Sequence, residues 1–110
     1  QSMDLKIEKQ GNNLLIRLFH PRVDGDNLIL KELDSARFGA EPVESLTLDM
    51  AEIEYINSLG ITEIINIHRK FSEKNPEGFK LKLQNVDRKI ATILELVDIH
   101  RIADIETRIQ

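Results

Sequence analysis

The stretch Leu46-Thr47-Leu48-Asp49-Met50-Ala51-Glu52-Ile53-Glu54-Tyr55-Ile56-Asn57-Ser58-Leu59-Gly60-Ile61 carries both periodicities from which the fold can be read. Leu46, Leu48 and Met50 alternate with Thr47 and Asp49, the period of a strand with one wet face. Past the loop the spacing changes. Ile61, Ile64, Ile65, Ile67, His68 and Phe71 share one broad arc of a helix that runs to about Lys74, and Glu63, Asn66, Arg69 and Lys70 lie opposite. Asn57 or Ser58 can cap this helix by accepting a hydrogen bond from an orphan backbone N–H. Leu59 falls on the polar side, so it is expected to be an exposed apolar residue.

Working outward, Met3 to Lys9 alternates strictly, Gln10-Gly11-Asn12 is turn chemistry, and Leu14 to Phe19 is a returning, more buried strand. The two should form a hairpin. Pro21 stops the second strand because it has no ladder donor. A helix is expected from about Asn27 to Arg37, capped by an Asp or Asn and ended by Gly39 and Pro42. On the other side, Asn75-Pro76-Glu77-Gly78 breaks the chain, and Phe79, Leu81 and Leu83 alternate with Lys80, Lys82 and Gln84. Asp87 caps a last helix with Ile90, Ile93, Leu94 and Val97 on one face. The tail from Ile99 to Ile109 reads as a short edge strand and a helical turn.

The order is therefore β-β-α-β-α-β-α with a tail, an α/β fold with a single mixed sheet. Strands that alternate apolar and polar residues cannot be wrapped on both faces. The helices should pack mainly on one face, with right-handed crossovers between locally parallel strands and the starting hairpin making the sheet mixed.

With 110 residues the chain has room for one domain, expected over 3–110, and Gln1-Ser2 reads as an expression scar before Met3. Fifteen Ile and 14 Leu supply enough aliphatic material for a core. Five aromatic residues (Phe19, Phe38, Phe71, Phe79 and Tyr55) are too few for a base-stacking platform. A formal charge of -4 without a basic stripe argues against nucleic acid. The absence of Cys excludes disulfides, thiolate metal sites and cysteine nucleophiles, and fits a cytoplasmic protein. No apolar run approaches the roughly 20 residues that span a bilayer, and there is no signal-peptide pattern.

Catalytic constellations are equally sparse. His20, His68 and His100 match no metal spacing, and His68 sits in the apolar arc as a partly buried core residue. Ser58 and His68 stand roughly 15 Å apart on one helix, too far for a nucleophile–base pair. Asp49, Glu52 and Glu54 read as a solvated rim, and Gly60 belongs to no phosphate-loop pattern. An enzyme is disfavoured, and neither metal nor cofactor is expected. A helix cap alone explains Asn57 or Ser58. It does not explain an exposed Leu59, or a glycine costing up to about 1 kcal/mol in the first helical turn. Gly60 would allow another protein to approach closely.

At these residues the chain resembles the STAS domains, named for sulfate transporters and anti-sigma factor antagonists. The opening stretch is similar to that family's strand, loop and helix start, in which a strand ends in Asp, an aromatic-aliphatic pair follows, and Asp-Ser-Ser-Gly or Asp-Ser-Thr-Gly begins the helix. Val23-Asp24-Gly25-Asp26-Asn27 resembles the turn before the family's first helix. Lys82-Leu83-Gln84-Asn85-Val86 and Leu94-Glu95-Leu96-Val97-Asp98-Ile99 resemble its fourth strand and last helix. The likeness covers nearly the whole chain after Met3. Asn57 stands where the pattern has Asp, and Leu59 where it has Ser or Thr.

The resemblance implies a bacterial partner-switching regulator of transcription. Its unphosphorylated form would sequester an anti-sigma factor that is itself a serine kinase. Phosphorylation at the position of Ser58 would end the complex, and a metal-dependent serine phosphatase would reset it. The implied docking surface comprises Asp24, Asn57, Ser58, Leu59 and Gly60 with the helix side carrying Thr62, Glu63 and Asn66. Two other roles fit the same resemblance: a non-phosphorylated STAS subunit of an ABC-type lipid transporter, and a scaffold in a stress-sensing complex. The oligomeric state stays open.

Overall fold

The computed structural model describes residues 5–25, 28–35 and 43–109. The opening residues, the expected cap at Asp26 or Asn27 and the expected helix end at Gly39 and Pro42 lie outside them.

The hairpin forms as the alternation dictates. Strand β1 (Leu5–Gln10) pairs antiparallel with β2 (Asn13–Leu18), with Ile7 opposite Ile16, and Gly11 takes the positive φ that its tight turn requires. Helix α1 (Leu28–Ser35) returns the chain to β4 (Ser45–Asp49), which lies parallel to β2. Helix α2 (Ser58–Lys74) leads to β6 (Lys80–Val86), parallel to β4. Helix α3 (Arg88–Leu96) and a single 3-10 turn at Ile99–Arg101 lead to β7 (Ala103–Thr107), parallel to β6. The tail is thus a turn followed by an edge strand. The five-stranded order is β1-β2-β4-β6-β7. Each crossover moves one position in the same direction, so right-handed connections put all three helices on one face.

Leu14, Ile16, Leu18, Leu46, Leu48, Leu81 and Leu83 point into that helical layer and meet Ile29, Leu33, Ile64, Ile67, Phe71, Ile90 and Leu94 in one core. The other face is wet. Glu8, Leu15, Thr47, Lys82 and Asp104 form one row across it in register, and Lys82 pairs with Glu106 at 3.0 Å.

Four expectations are corrected. Two strands of two residues each, β3 (Arg22–Val23) and β5 (Tyr55–Ile56), pair in parallel as a separate small sheet. Glu63 is not on an exposed helix side: it is 3% exposed. It accepts a hydrogen bond of 3.0 Å from the N–H of Ile29 in the first turn of α1, where a carboxylate satisfies an orphan donor and the positive end of the dipole. Ile93 and Val97 do not join Ile90 and Leu94 in the core but remain 40% and 48% exposed, and Ala91 is buried instead. Gly60, the fourth, is described with the site. His68 is half-buried as expected, its ring 5.9 Å from that of Phe79, and burial lowers its pKa from the ordinary 6.5.

Candidate docking surface at the start of α2

Chain direction puts the ends of β2 and β4 and the start of α2 at one end of the sheet. There the small β3–β5 sheet ties two distant segments together. Arg22 lies opposite Tyr55 and Val23 opposite Ile56, and the N–H of Asn57 donates to the Val23 carbonyl at 3.3 Å. Residues 22–25 and 55–60 therefore form one surface.

Asn57, not Ser58, is the helix cap. Its backbone is extended and its Oδ1 accepts from the Gly60 N–H at 2.9 Å. A cap of this kind needs only a side-chain oxygen, so Asn serves it as well as Asp. Asn57→Ala should lower stability by about 1 kcal/mol, read as an earlier urea midpoint with an unchanged slope, whereas Asn57→Asp should hold the midpoint.

Capping by Asn57 leaves Ser58 exposed as the first helical residue, with its carbonyl accepting from the Thr62 hydroxyl at 3.0 Å. Leu59 is 60% exposed, as its place on the wheel requires, and its side chain packs back against Gly25. Thr62 is exposed and Asn66 half-buried on the following turns. Asp24 is half-buried, its Oδ2 3.4 Å from Nε of Arg22.

Gly60 corrects the sequence reading most directly. It is buried, and a Cβ built on it would land on the carbonyl oxygen of Val23. What approaches this glycine closely is the protein's own backbone, so Gly60 is a joint inside the surface and not a contact on it. Glu63 likewise leaves the surface for the α1 interface.

Two further exposed residues belong to the surface: the guanidinium of Arg22 sits 4.1 Å from the centre of the exposed Tyr55 ring. The only sequence signal is Tyr55 in the aromatic-aliphatic pair; Arg22 has none.

The loop into β5 is held from beneath. Asp49 Oδ1 accepts from the Ala51 N–H at 3.1 Å and from Asn85 Nδ2 at 3.0 Å, so this carboxylate is structural, while Glu52 and Glu54 stay exposed. From the end of the last strand, Arg108 Nη2 donates to the carbonyls of Ala51 at 2.7 Å, Ile53 at 3.3 Å and Met50 at 3.5 Å. Its Nη1 stands 3.8 Å from Asp87, the cap of α3.

Among the described residues no group of His, Asp and Glu could hold a metal ion, and no helix is long and apolar enough to cross a membrane. The chemistry this end of the molecule offers is recognition: an exposed hydroxyl at a capped helix start, on a surface shared with Leu59, Tyr55, Arg22 and Asp24.

The chain matches no family model and no curated protein sequence. Solved structures do match. A Thermotoga maritima protein assigned as an anti-sigma factor antagonist superposes with a TM-score of 0.69 at 17% identity, over 92% of this chain and 84% of that one. The phosphorylated form of the Bacillus cell fate determinant SpoIIAA gives 0.66 at 16%, over 94% and 91%. The fold is that of the anti-sigma factor antagonists. It is also found within the murine Solute Carrier 26 family member A9 anion transporter, where the TM-score is 0.68 at 14% identity over 93% of this chain but only 17% of that one. At these identities the likeness is one of fold, and it is the STAS-like fold that the sequence resembles. Helices on one face, the leading antiparallel hairpin and the parallel remainder of the sheet are the features of the antagonist fold expected above.

Proposed function

We propose that this chain is a partner-switching module of the anti-sigma antagonist kind, acting in bacterial transcription control, that performs no chemistry of its own and is switched by phosphorylation of Ser58. The observation that carries the reading is the position of Ser58: exposed, first in a 17-residue helix, and beside an apolar side chain that has no place in a core.

A kinase partner would move the γ-phosphoryl group of ATP to the Ser58 oxygen, releasing ADP and the hydroxyl proton, and a metal-dependent phosphatase would remove it by hydrolysis. The product places a charge of about -1.5 to -2 at the positive end of a helix dipole, so the fold tolerates it. The contact surface does not. Leu59 and Tyr55 form an apolar contact with a partner only when water leaves, and a dianion beside them is expensive to desolvate. The charge of -4 adds repulsion against any acidic partner patch.

Co-expression with a serine-kinase anti-sigma factor encoded beside its gene should add the mass of one phosphoryl group to the chain and none to Ser58→Ala. Ser58→Asp should weaken the complex at least tenfold, about 1.4 kcal/mol, in titration calorimetry. A stable complex in which Ser58 is never modified and Ser58→Asp binds normally would overturn the switch and favour the scaffold or transporter-subunit role.

A further inference from the structure

Arg22 is held from several sides, yet it offers most of its hydrogen-bonding edge to solvent. Its backbone lies in β3 opposite Tyr55, and its N–H donates to Nδ1 of His20 at 3.2 Å. Its guanidinium stands over the Tyr55 ring, 4.1 Å from the centre, and its Nε lies 3.4 Å from Asp24 Oδ2. The side chain is nevertheless 49% exposed. Nη1 and Nη2 have no partner among the described residues. Of the acidic groups at this end, Asp24, Glu52 and Glu54, only Asp24 touches the guanidinium, and it does so at the outer limit of a hydrogen bond.

A long side chain loses rotamer freedom when a binding partner fixes it. Here the Tyr55 ring and the Asp24 carboxylate have fixed the guanidinium beforehand, so little more is lost on docking. What is left open is the Nη edge. Two N–H donors on a rigid plane match the two oxygens of a carboxylate, a pairing that is both stronger and more directional than a bond to a single neutral oxygen. An ammonium at this position would carry the charge without the fork. Arginines held in this way at the centre of a contact are among the residues whose truncation costs most.

We propose that Arg22 is a partner-recognition residue whose Nη edge receives the carboxylate of an Asp or Glu side chain on the docked protein. This inference rests on the reading that residues 22–25 and 55–60 form the docking surface. It also gives the switch a physical cause. A phosphoryl group on Ser58 brings a dianion to the same surface, where it repels that carboxylate and competes with it for Arg22.

Titration calorimetry on the complex with the serine-kinase anti-sigma factor encoded beside the gene, without nucleotide, reads the contact directly. Arg22→Ala should raise the dissociation constant at least tenfold with an unchanged urea midpoint, since the exposed guanidinium supports no core. Arg22→Lys should stay about fivefold or more weaker than the wild type. Arg22→Glu should bind most weakly, and changing one acidic residue of the partner to Arg should restore it. Raising the salt from about 50 mM to about 0.5 M should weaken the wild-type complex more than the Arg22→Ala complex. Arg22→Ala or Arg22→Lys binding like the wild type, or an Arg22→Glu that no acidic-to-Arg change in the partner restores, would overturn the proposal. So would a loss confined to the ATP-bound partner, which would assign the fork to a nucleotide phosphate. Each of these failures leaves the switch standing, because Ser58→Asp tests that separately in the same assay.

Discussion

Gly60→Ala is expected to destabilise the protein by about 3 kcal/mol or more, although the same change in an ordinary helix stabilises by up to about 1 kcal/mol. The sign inverts because of what the missing Cβ would meet. Gly60 lies in the first turn of α2 with the carbonyl oxygen of Val23 where a methyl group would stand. That oxygen also accepts from the Asn57 N–H, and β3 is held to β5 through Val23 and its neighbour. The obstacle is backbone and cannot rotate away. Either α2 shifts outward or the β3–β5 pair opens, and both separate residues 22–25 from 55–60. Urea denaturation should show the loss, and amide exchange should quicken first at Tyr55, Ile56 and Asn57. A Gly60→Ala protein as stable as the wild type would mean that the two segments are not in contact.

Arg108→Ala should cost about 2 kcal/mol and loosen the loop between β4 and β5. The wild-type guanidinium serves three carbonyls, of which the 2.7 Å contact to Ala51 is the strongest and the 3.5 Å contact to Met50 is marginal. Bonds from a charged donor are worth about 1.5–3 kcal/mol each. The sum is not expected, because Ala51 is exposed and water replaces part of what is lost. Asp87 also loses its ion pair at 3.8 Å, although it keeps the bonds from the N–H groups of Lys89 and Ile90 that cap α3. Arg108→Lys should recover only part of the loss, since an ammonium cannot spread over three carbonyls as a planar guanidinium does. Thermal denaturation with exchange at the Ile53 amide, which bonds to Met50 O at 3.0 Å, separates the two variants. Equal stability of both with the wild type would dismiss the clamp.

Much of this architecture was legible before any coordinates, and the reason is periodicity. The hairpin, the alternating strands over 46–50 and 79–84, and the long helix to Lys74 each extend over enough residues for a repeat to show. Leu59 was placed outside by the same wheel. What escaped were features with no period. Two residues cannot alternate, so β3 and β5 were invisible. A wheel sorts residues by polarity and so put Glu63 on the outer side; its burial depends on the N–H of Ile29, 34 positions earlier. Ile93 and Val97 are apolar at the right spacing, but α3 turns Ile90, Ala91 and Leu94 to the sheet and leaves the other two on its exposed side. Gly60 stands out in the sequence of a first helical turn, but its cause does not, because only the fold brings the Val23 carbonyl beside it. Arg108 had no local signal at all.

The placement of Tyr55 gives experimenters an unplanned convenience. It is the sole tyrosine of a chain without tryptophan, so essentially all of the intrinsic ultraviolet emission originates within the surface around Ser58. With the Arg22 cation lying over its ring, that emission depends on whether the guanidinium stays stacked. A partner docking there, or a dianion drawing Arg22 away, would register as a change in fluorescence without any label. A partner free of tryptophan and tyrosine could then be titrated optically.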